Sequence, residues 1–185
     1  MNWAARHVTS TLYICWGAQA GLYHFYDIPK YPLDKKQFGV FKHTLNNPSI
    51  LLFRGFDDEF YVPHSRHTDI RREDILKVPA LDLLSESTEA GVYLVMSRGG
   101  REIFITGHSE YAPETLHNEY KRDLAKGLPI EMPANYYKNN NPENGICVQW
   151  RAHAHLMFKN WLNYYVYQAT PFNSKEIEQL GDINV

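Results

Sequence analysis

The chain has 185 residues, 44% hydrophobic and 22% charged, a composition typical of one soluble globular domain. Its formal net charge of -2 gives no electrostatic reason to expect nucleic acid or an anionic membrane as a partner. Two cysteines are too few for a disulfide framework, and no segment is typical of a signal peptide or a bilayer span, so we expect a cytoplasmic protein.

The first long segment joins a strand pattern to a helix pattern, and Cys15 lies at the boundary. Val8 to Ile14 is rich in β-branched and aromatic residues and predicts a buried strand. Trp16 to Tyr26 contains no β-branched residue and no proline and predicts a helix. Such a turn can present a nucleophile, and the helix N-terminus favours a thiolate. The alternative is an inert cysteine buried at the end of a strand.

The rest of the chain predicts mixed strands and helices. Strand patterns lie at 35–43 and 60–67, each joined to a loop, and at 50–54, 81–87, 91–97 and 102–106. Residues 71–77 predict a turn or short helix, 114–126 and 150–168 predict helices, and 128–145 predict a long irregular loop. We expect residues 1–169 to be the catalytic part of a single domain and residues 170–185 to be a polar tail.

Five motifs occur in an order that carries a family resemblance. They are ICWGAQAGLYH at 14–24 with IPK at 28–30, RGFDD at 54–58, PHSR at 63–66, TGHSEY at 106–111 and NWLNYYVYQ at 160–168. Together they resemble the homoserine O-acyltransferases, which are the O-acetyl- and O-succinyltransferases of methionine biosynthesis. The resemblance implies an α/β, class I glutamine amidotransferase-like (flavodoxin-like) sandwich. It also implies that the N-terminal part of the sheet is missing, because family members carry a long segment before the nucleophile strand.

The resemblance assigns a nucleophile, a base and a carboxylate. Cys15 matches the nucleophile, His108 the base and Glu110 the carboxylate that orients the base. The residue types suit these roles, since two side chains two positions apart in an extended segment point to the same side. Without the resemblance, His108 and Glu110 would be read as a surface ion pair. Cys147 follows a Pro- and Asn-rich loop with no matching base, so we expect Cys15 to be the reactive thiol.

Further positions match residues that the family uses around its substrates. Lys36, Ser65 and Arg122 match substrate-binding positions; otherwise they would be a surface lysine, a turn hydroxyl and a solvated helix charge. A guanidinium at Arg122 suits an amino-acid carboxylate, which it can bind with two parallel hydrogen bonds. The backbone N–H of Trp16 is the expected oxyanion donor.

The implied reaction is a ping-pong acyl transfer from acyl-CoA to the homoserine γ-hydroxyl through an acyl-cysteine. The expected partners are homoserine and acyl-CoA, the latter as co-substrate, with no metal or resident cofactor, and a homodimer is left open. The choice between an acetyl and a succinyl donor stays unresolved, although residues 17–21 resemble the acetyl-using members more closely. One alternative is a glutamine amidotransferase-like Cys-His-Glu hydrolase. Another is an inactive or partner-dependent fragment, because the family's acyl selector and second oxyanion donor lie upstream; we expect these residues alone to be a poor catalyst.

Overall fold

The computed structural model describes residues 1–171 as a mixed α/β fold. The helices are α1 (Asn2–His7), α2 (Trp16–Tyr26), α3 (Arg72–Leu76), α4 (Thr115–Ala125) and α5 (Arg151–Asn160). The strands are β1 (Thr11–Ile14), β2 (Tyr31–Leu45), β3 (Glu59–Asp69), β4 (Leu81–Ser87), β5 (Gly91–Ser97) and β6 (Glu102–Ile105). Short 3₁₀ helices lie at Leu51–Phe53, Lys138–Asn140 and Pro142–Asn144, and a π-helix, Trp161–Tyr167, continues α5. Most of the predicted polar tail lies outside the described residues.

The six strands form one sheet in the order β1-β6-β5-β4-β2-β3. Strands β1 and β6 run parallel, with Ile14 opposite Ile105, whereas the other neighbouring pairs are antiparallel. Two parallel strands in this register end at the same edge of the sheet. The chain that leaves β1 at Cys15 and the chain that leaves β6 before His108 therefore emerge side by side.

Alternating side chains divide the core between the two faces of the sheet. On β6, Ile103 and Ile105 join the buried cluster that includes Met157 of α5, whereas Phe104 joins the cluster that includes Leu22 of α2. Helix α2 lies close to the sheet because it carries Gly21, where an added Cβ would come within 2.8 Å of the Phe104 ring. The result is a layered sandwich, with α2 and α3 on one face and α5 on the other.

A third, smaller core fixes α4 beside strands β2 and β3. It buries Phe38 and Val40 of β2 against Leu116 of α4 and against aromatic residues of the 128–150 segment. The close approach needs a glycine at position 39, since a Cβ there would lie 2.5 Å from the backbone nitrogen of Ala134. This packing holds the exposed turns of α4 over the middle of β3. Within residues 1–171, no helix has the length and apolar character needed to cross a bilayer.

Strands β2 and β3 extend beyond the predicted segments 35–43 and 60–67, and two other predicted strands differ more from the observed structure. The strand predicted at Val8–Ile14 begins only at Thr11, because α1 occupies Asn2–His7, and its residues are half-buried rather than buried on both faces. The segment predicted as a strand at 50–54 forms a 3₁₀ turn that buries the adjacent Leu52 and Phe53 together. A strand would direct these two neighbouring side chains to opposite faces of the sheet. The turn forms instead because it lets both side chains pack into the same core. Helix α2 and strands β4 and β5 have the predicted bounds.

Candidate active site

Cys15 occupies a sharp turn between β1 and α2. Its backbone has φ 51° and ψ -113°, a conformation that side-chain-bearing residues rarely adopt. The turn is held on both sides: the Cys15 N–H donates to the Ile105 carbonyl at 2.6 Å, and the Cys15 carbonyl accepts from the Gln19 N–H at 3.1 Å. A strained turn fixed in this way places the thiol at the end of the sheet and at the N-terminus of α2.

His108 lies opposite this turn, and its surroundings fix the orientation of its ring. Its Nδ1 is 2.6 Å from Glu110 Oε1, its ring stacks on Tyr111 at 4.0 Å, and its backbone N–H donates to the Pro63 carbonyl at 2.8 Å. Because a carboxylate only accepts, Nδ1 carries a proton, and Nε2 is the ring nitrogen left for Cys15, whose side chain helps to raise the His108 pKa. The imidazole is thus held between a thiol and a carboxylate.

The charge state of His108 follows from these two neighbours. Burial alone lowers the pKa of the ring, but the hydrogen bonds and charges of Cys15 and Glu110 outweigh burial and raise the His108 pKa to about 9. At neutral pH the ring is therefore protonated when it faces a thiolate. An imidazolium of this kind is the partner that a nucleophilic cysteine requires.

A second polar cluster brings together the three residues predicted to hold substrate. Lys36 Nζ lies 2.7 Å from Glu119 Oε1, and the Ser65 hydroxyl lies 2.9 Å from each oxygen of the same carboxylate. Arg122 Nη2 lies 3.6 Å from Glu119, while Arg122 Nε donates to Asp123 at 2.7 Å. Glu119 is therefore the centre of a cluster with two cations and two anions.

Tyr111 connects the two clusters. Its ring stacks on His108, and burial first, then the charges on Glu119, Cys15 and Glu110, raise its pKa. Tyr111 also packs against the third core, which contains Leu116 of α4, so the helix that carries Glu119 and Arg122 lies beside the loop that carries His108. The six side chains predicted for the site thus form two clusters connected through Tyr111, and the Trp16 N–H follows Cys15 at the first position of α2, where helices have no internal acceptor.

Glu119 was missed in the sequence because nothing local marks it. The one available signal was its position three residues before Arg122 on a helix, which predicts a surface ion pair as readily as a substrate contact. The pairing with Lys36 and Ser65 joins residues 83 and 54 positions away along the chain. Within residues 1–171, no three His, Cys, Asp or Glu side chains converge in a way that would hold a metal ion.

Comparison with known proteins identifies the sequence family of the chain. The family described as HTS, Homoserine O-succinyltransferase, matches residues 1–172. Homoserine O-acetyltransferase of Parabacteroides distasonis is 68% identical over 182 residues, covering 98% of this chain and 59% of the relative. The enzyme of the same name from Desulfitobacterium hafniense is 63% identical, covering 98% of this chain and 58% of the relative. The chain thus spans less than two thirds of the length of these curated relatives.

Solved structures share the fold at low sequence identity. A glutamine amidotransferase from Methylobacillus flagellatus superposes with a TM-score of 0.59 at 13% identity, covering 88% of this chain and 66% of that chain. A glutamine amidotransferase from Thermotoga maritima gives 0.57 at 16% identity, covering 82% of this chain and 60% of that chain. The predicted fold class is confirmed by these neighbours. From the match to residues 1–172 and the identities of 63–68%, the chain belongs to the homoserine O-succinyltransferase family.

Proposed function

We propose that the chain carries the acyl-transfer site of a cytoplasmic homoserine O-acyltransferase of methionine biosynthesis, with acetyl-CoA as the acyl donor. The observation that carries the proposal is the strained turn at Cys15, which sets a thiol against a histidine oriented by a carboxylate. Acetyl is proposed over succinyl because the relatives at 63–69% identity bear the name homoserine O-acetyltransferase.

The first half-reaction moves the acyl group to Cys15. In the resting pair His108 Nε2 already holds the proton of the Cys15 thiol, and the thiolate attacks the thioester carbonyl to give a tetrahedral intermediate. The Trp16 N–H faces the developing oxyanion. When the carbon–sulfur bond to CoA breaks, the CoA thiolate takes the proton from His108, and an acyl-cysteine remains. Glu110 stabilises the imidazolium throughout and holds the ring.

The second half-reaction moves the acyl group to homoserine. His108, neutral again after CoA has left, removes the proton of the γ-hydroxyl as that oxygen attacks the acyl-cysteine. The intermediate collapses by breaking the bond to Cys15 sulfur, and the product is an O-acyl-homoserine. The thiolate and the imidazolium are restored, so the cycle needs no resident cofactor.

The cluster around Glu119 suits a zwitterionic amino acid. Homoserine carries one α-ammonium and one α-carboxylate, and the cluster offers both signs of charge. Arg122, whose side chain is 55% exposed, can turn its guanidinium to the α-carboxylate, and Glu119 can accept from the α-ammonium. Lys36 and Ser65 hold Glu119 in place from the opposite side. Exchange of internal ion pairs for ligand ion pairs keeps the buried charges compensated.

The test separates acylation from the rest of the cycle. The purified chain is incubated with acetyl-CoA without homoserine, and the masses of the intact protein and of its peptides are measured by mass spectrometry. We expect one acetyl group on the peptide that contains Cys15, its release on addition of homoserine, and no acetyl in Cys15→Ser. Cys147→Ser is the matched control and should label as the parent does. Failure of both acetyl-CoA and succinyl-CoA to acylate Cys15 would contradict the proposal, and glutamate release from glutamine would favour the hydrolase instead.

A further inference from the structure

A chain of buried polar side chains lies beneath the site and has no part in the mechanism above. His43 on β2 and His64 on β3 are fully buried, and Arg66 on β3 is 4% exposed. The two imidazole rings stack with their centroids 5.1 Å apart and their planes within 8°. Buried histidines and a buried guanidinium are costly unless every polar atom is satisfied, so the arrangement calls for a reason.

The hydrogen bonds of this chain allow one arrangement of protons. His43 Nδ1 is 2.9 Å from the Phe41 carbonyl, which only accepts, so Nδ1 is the donor and Nε2 the acceptor. His64 Nε2, 3.2 Å away, must donate to His43 Nε2, and His64 Nδ1 is then free to accept from Arg66 Nε at 3.3 Å. Every bond is satisfied when both rings are neutral in these tautomers. Burial agrees, since it lowers the His43 pKa to about 3 and the His64 pKa well below its usual value.

The remaining donors of Arg66 are bound equally firmly. Nη1 donates to Asp69 Oδ1 at 2.7 Å and to the Thr68 carbonyl at 2.9 Å, and Nη2 donates to the Ala90 carbonyl. The charged and titratable groups that face the guanidinium are Asp69 and His64 on its own strand, His43 on β2 and Cys15 at the start of α2. A guanidinium held at every edge is a fixed positive charge rather than a mobile one.

This clamped charge is connected to both halves of the proposed nucleophile pair. The Thr68 hydroxyl donates to Gln19 Oε1 at 2.6 Å, and Gln19 in turn binds the Cys15 carbonyl through its backbone N–H. His64 lies under the loop that carries His108: a Cβ on Gly107 would be 2.9 Å from His64 Nε2. Burial lowers the pKa of Arg66, and Cys15 is among the charges near enough to oppose that shift. The Arg66 network therefore contacts both the turn at Cys15 and the loop that carries His108.

We propose that Arg66 is a positioning residue for Cys15: its charge, clamped by the His64–His43 chain and by Asp69, stabilises the thiolate from inside the protein. Ser65, between His64 and Arg66 on β3, points to the opposite face and joins the substrate-binding cluster, so one strand serves both sides of the site. The inference rests on the proposed function only in taking Cys15 as the nucleophile.

The first test measures the rate of Cys15 alkylation by iodoacetamide between pH 5 and 10, which needs no acyl-CoA or homoserine. Arg66→Met removes the charge and should shift the half-maximal pH upward by about one unit. Asp69→Asn leaves the cation uncompensated and should shift the midpoint downward. Arg72→Met, at an exposed surface ion pair, is the matched control and should leave it unchanged. A purely structural role predicts no opposite shifts, and equal midpoints would overturn the proposal.

The second test determines the imidazole tautomers of His43 and His64 in the unaltered protein. It can therefore test the proposal even if the variants fail to fold. Two-bond ¹⁵N–¹H spectra distinguish the imidazole tautomers. We expect His43 protonated on Nδ1 and His64 on Nε2, both without titration between pH 5 and 8. The opposite tautomer on either ring, or titration in that range, would overturn the proposal. Acylation of Cys15 with an unshifted alkylation midpoint in Arg66→Met would reject this inference while leaving the proposed function intact.

Discussion

The two cysteines of this chain have similar exposure and different surroundings. Cys15 and Cys147 are both half-buried thiols. Cys15 lies at a turn with positive φ before an 11-residue helix, and both His108 and Arg66 are near enough for electrostatic interaction. Cys147 follows an irregular segment, and its N–H donates to the Tyr136 carbonyl. Under the proposed function, backbone conformation and neighbouring charge, rather than access, distinguish the nucleophile from the other thiol.

The pocket beside Cys147 sharpens this contrast. It has a volume of about 410 Å³ and is lined mainly by amide, tyrosine and lysine side chains, without a histidine. Lys42 lies there, but Glu59, 2.8 Å from its ammonium, already compensates its charge. The lining includes the carboxylate of Glu89 but no imidazole, the side chain best suited to take a thiol proton near neutral pH. Exchanging features between the two regions is therefore the direct way to test the account.

The largest expected effect comes from removing each thiol in turn. Cys15→Ala should lower the rate of O-acyl-homoserine formation on the order of 10⁵-fold, because the acyl-enzyme cannot form. Cys147→Ala should leave the rate within about twofold of the parent. The measurement is product formation from acetyl-CoA and homoserine by mass spectrometry. Comparable losses in the two variants would show that the contrast between the regions is mistaken.

A smaller effect is expected at the substrate-binding cluster. Arg122→Lys keeps the charge but loses the planar pair of donors, so homoserine use should fall roughly tenfold while acylation of Cys15 persists. The half-reactions are separated by measuring CoA release without homoserine and product formation with it. Lys126→Arg, one turn further along the chain, serves as a control for helix surface charge. If both half-reactions fell equally, Arg122 would have no specific role with homoserine.

The sequence predicted local elements well and long-range contacts poorly. Strands β4 and β5 had the predicted bounds because their apolar segments and the turn between them are encoded within 17 residues. The segment at 50–54 was misassigned because its turn depends on burial against α5, which no local pattern contains. Cys15, His108 and Glu110 could be proposed only through the family resemblance, which contiguous motifs carry. Glu119 and the His43–His64 pair could not, because each is created by packing of distant segments.

The pH dependence of stability tests the charge state of His108. Its folded pKa is raised to about 9, so the protonated ring stabilises the fold fully below about pH 6.5, and this contribution is lost as the pH rises through 9. Glu110→Gln removes one cause of the shift, so the decline of the unfolding free energy over this window should shrink by about 1 kcal/mol. Urea titrations at pH 6, 7.5 and 9, evaluated by linear extrapolation, measure the unfolding free energy at each pH. An unchanged decline would mean that Glu110 does not support the imidazolium.

The smallest expected effect concerns the strain at the turn. Cys15 has φ 51°, so the free energy of unfolding, measured by urea titration, should be about 1 kcal/mol higher for Cys15→Gly than for Cys15→Ala. The same pair of substitutions at Cys147, whose φ is not positive, should give the reverse order because glycine adds entropy to the unfolded chain. Equal stability of the two Cys15 variants would remove the evidence for stored strain.

Competitive alkylation tests the central claim most directly. The unaltered chain is treated with iodoacetamide below one equivalent at pH 7, and the peptides that contain Cys15 and Cys147 are quantified over time. The account predicts that Cys15 reacts at least about tenfold faster, because a thiolate paired with His108 is the nucleophile. Equal rates, or faster labelling of Cys147, would contradict it.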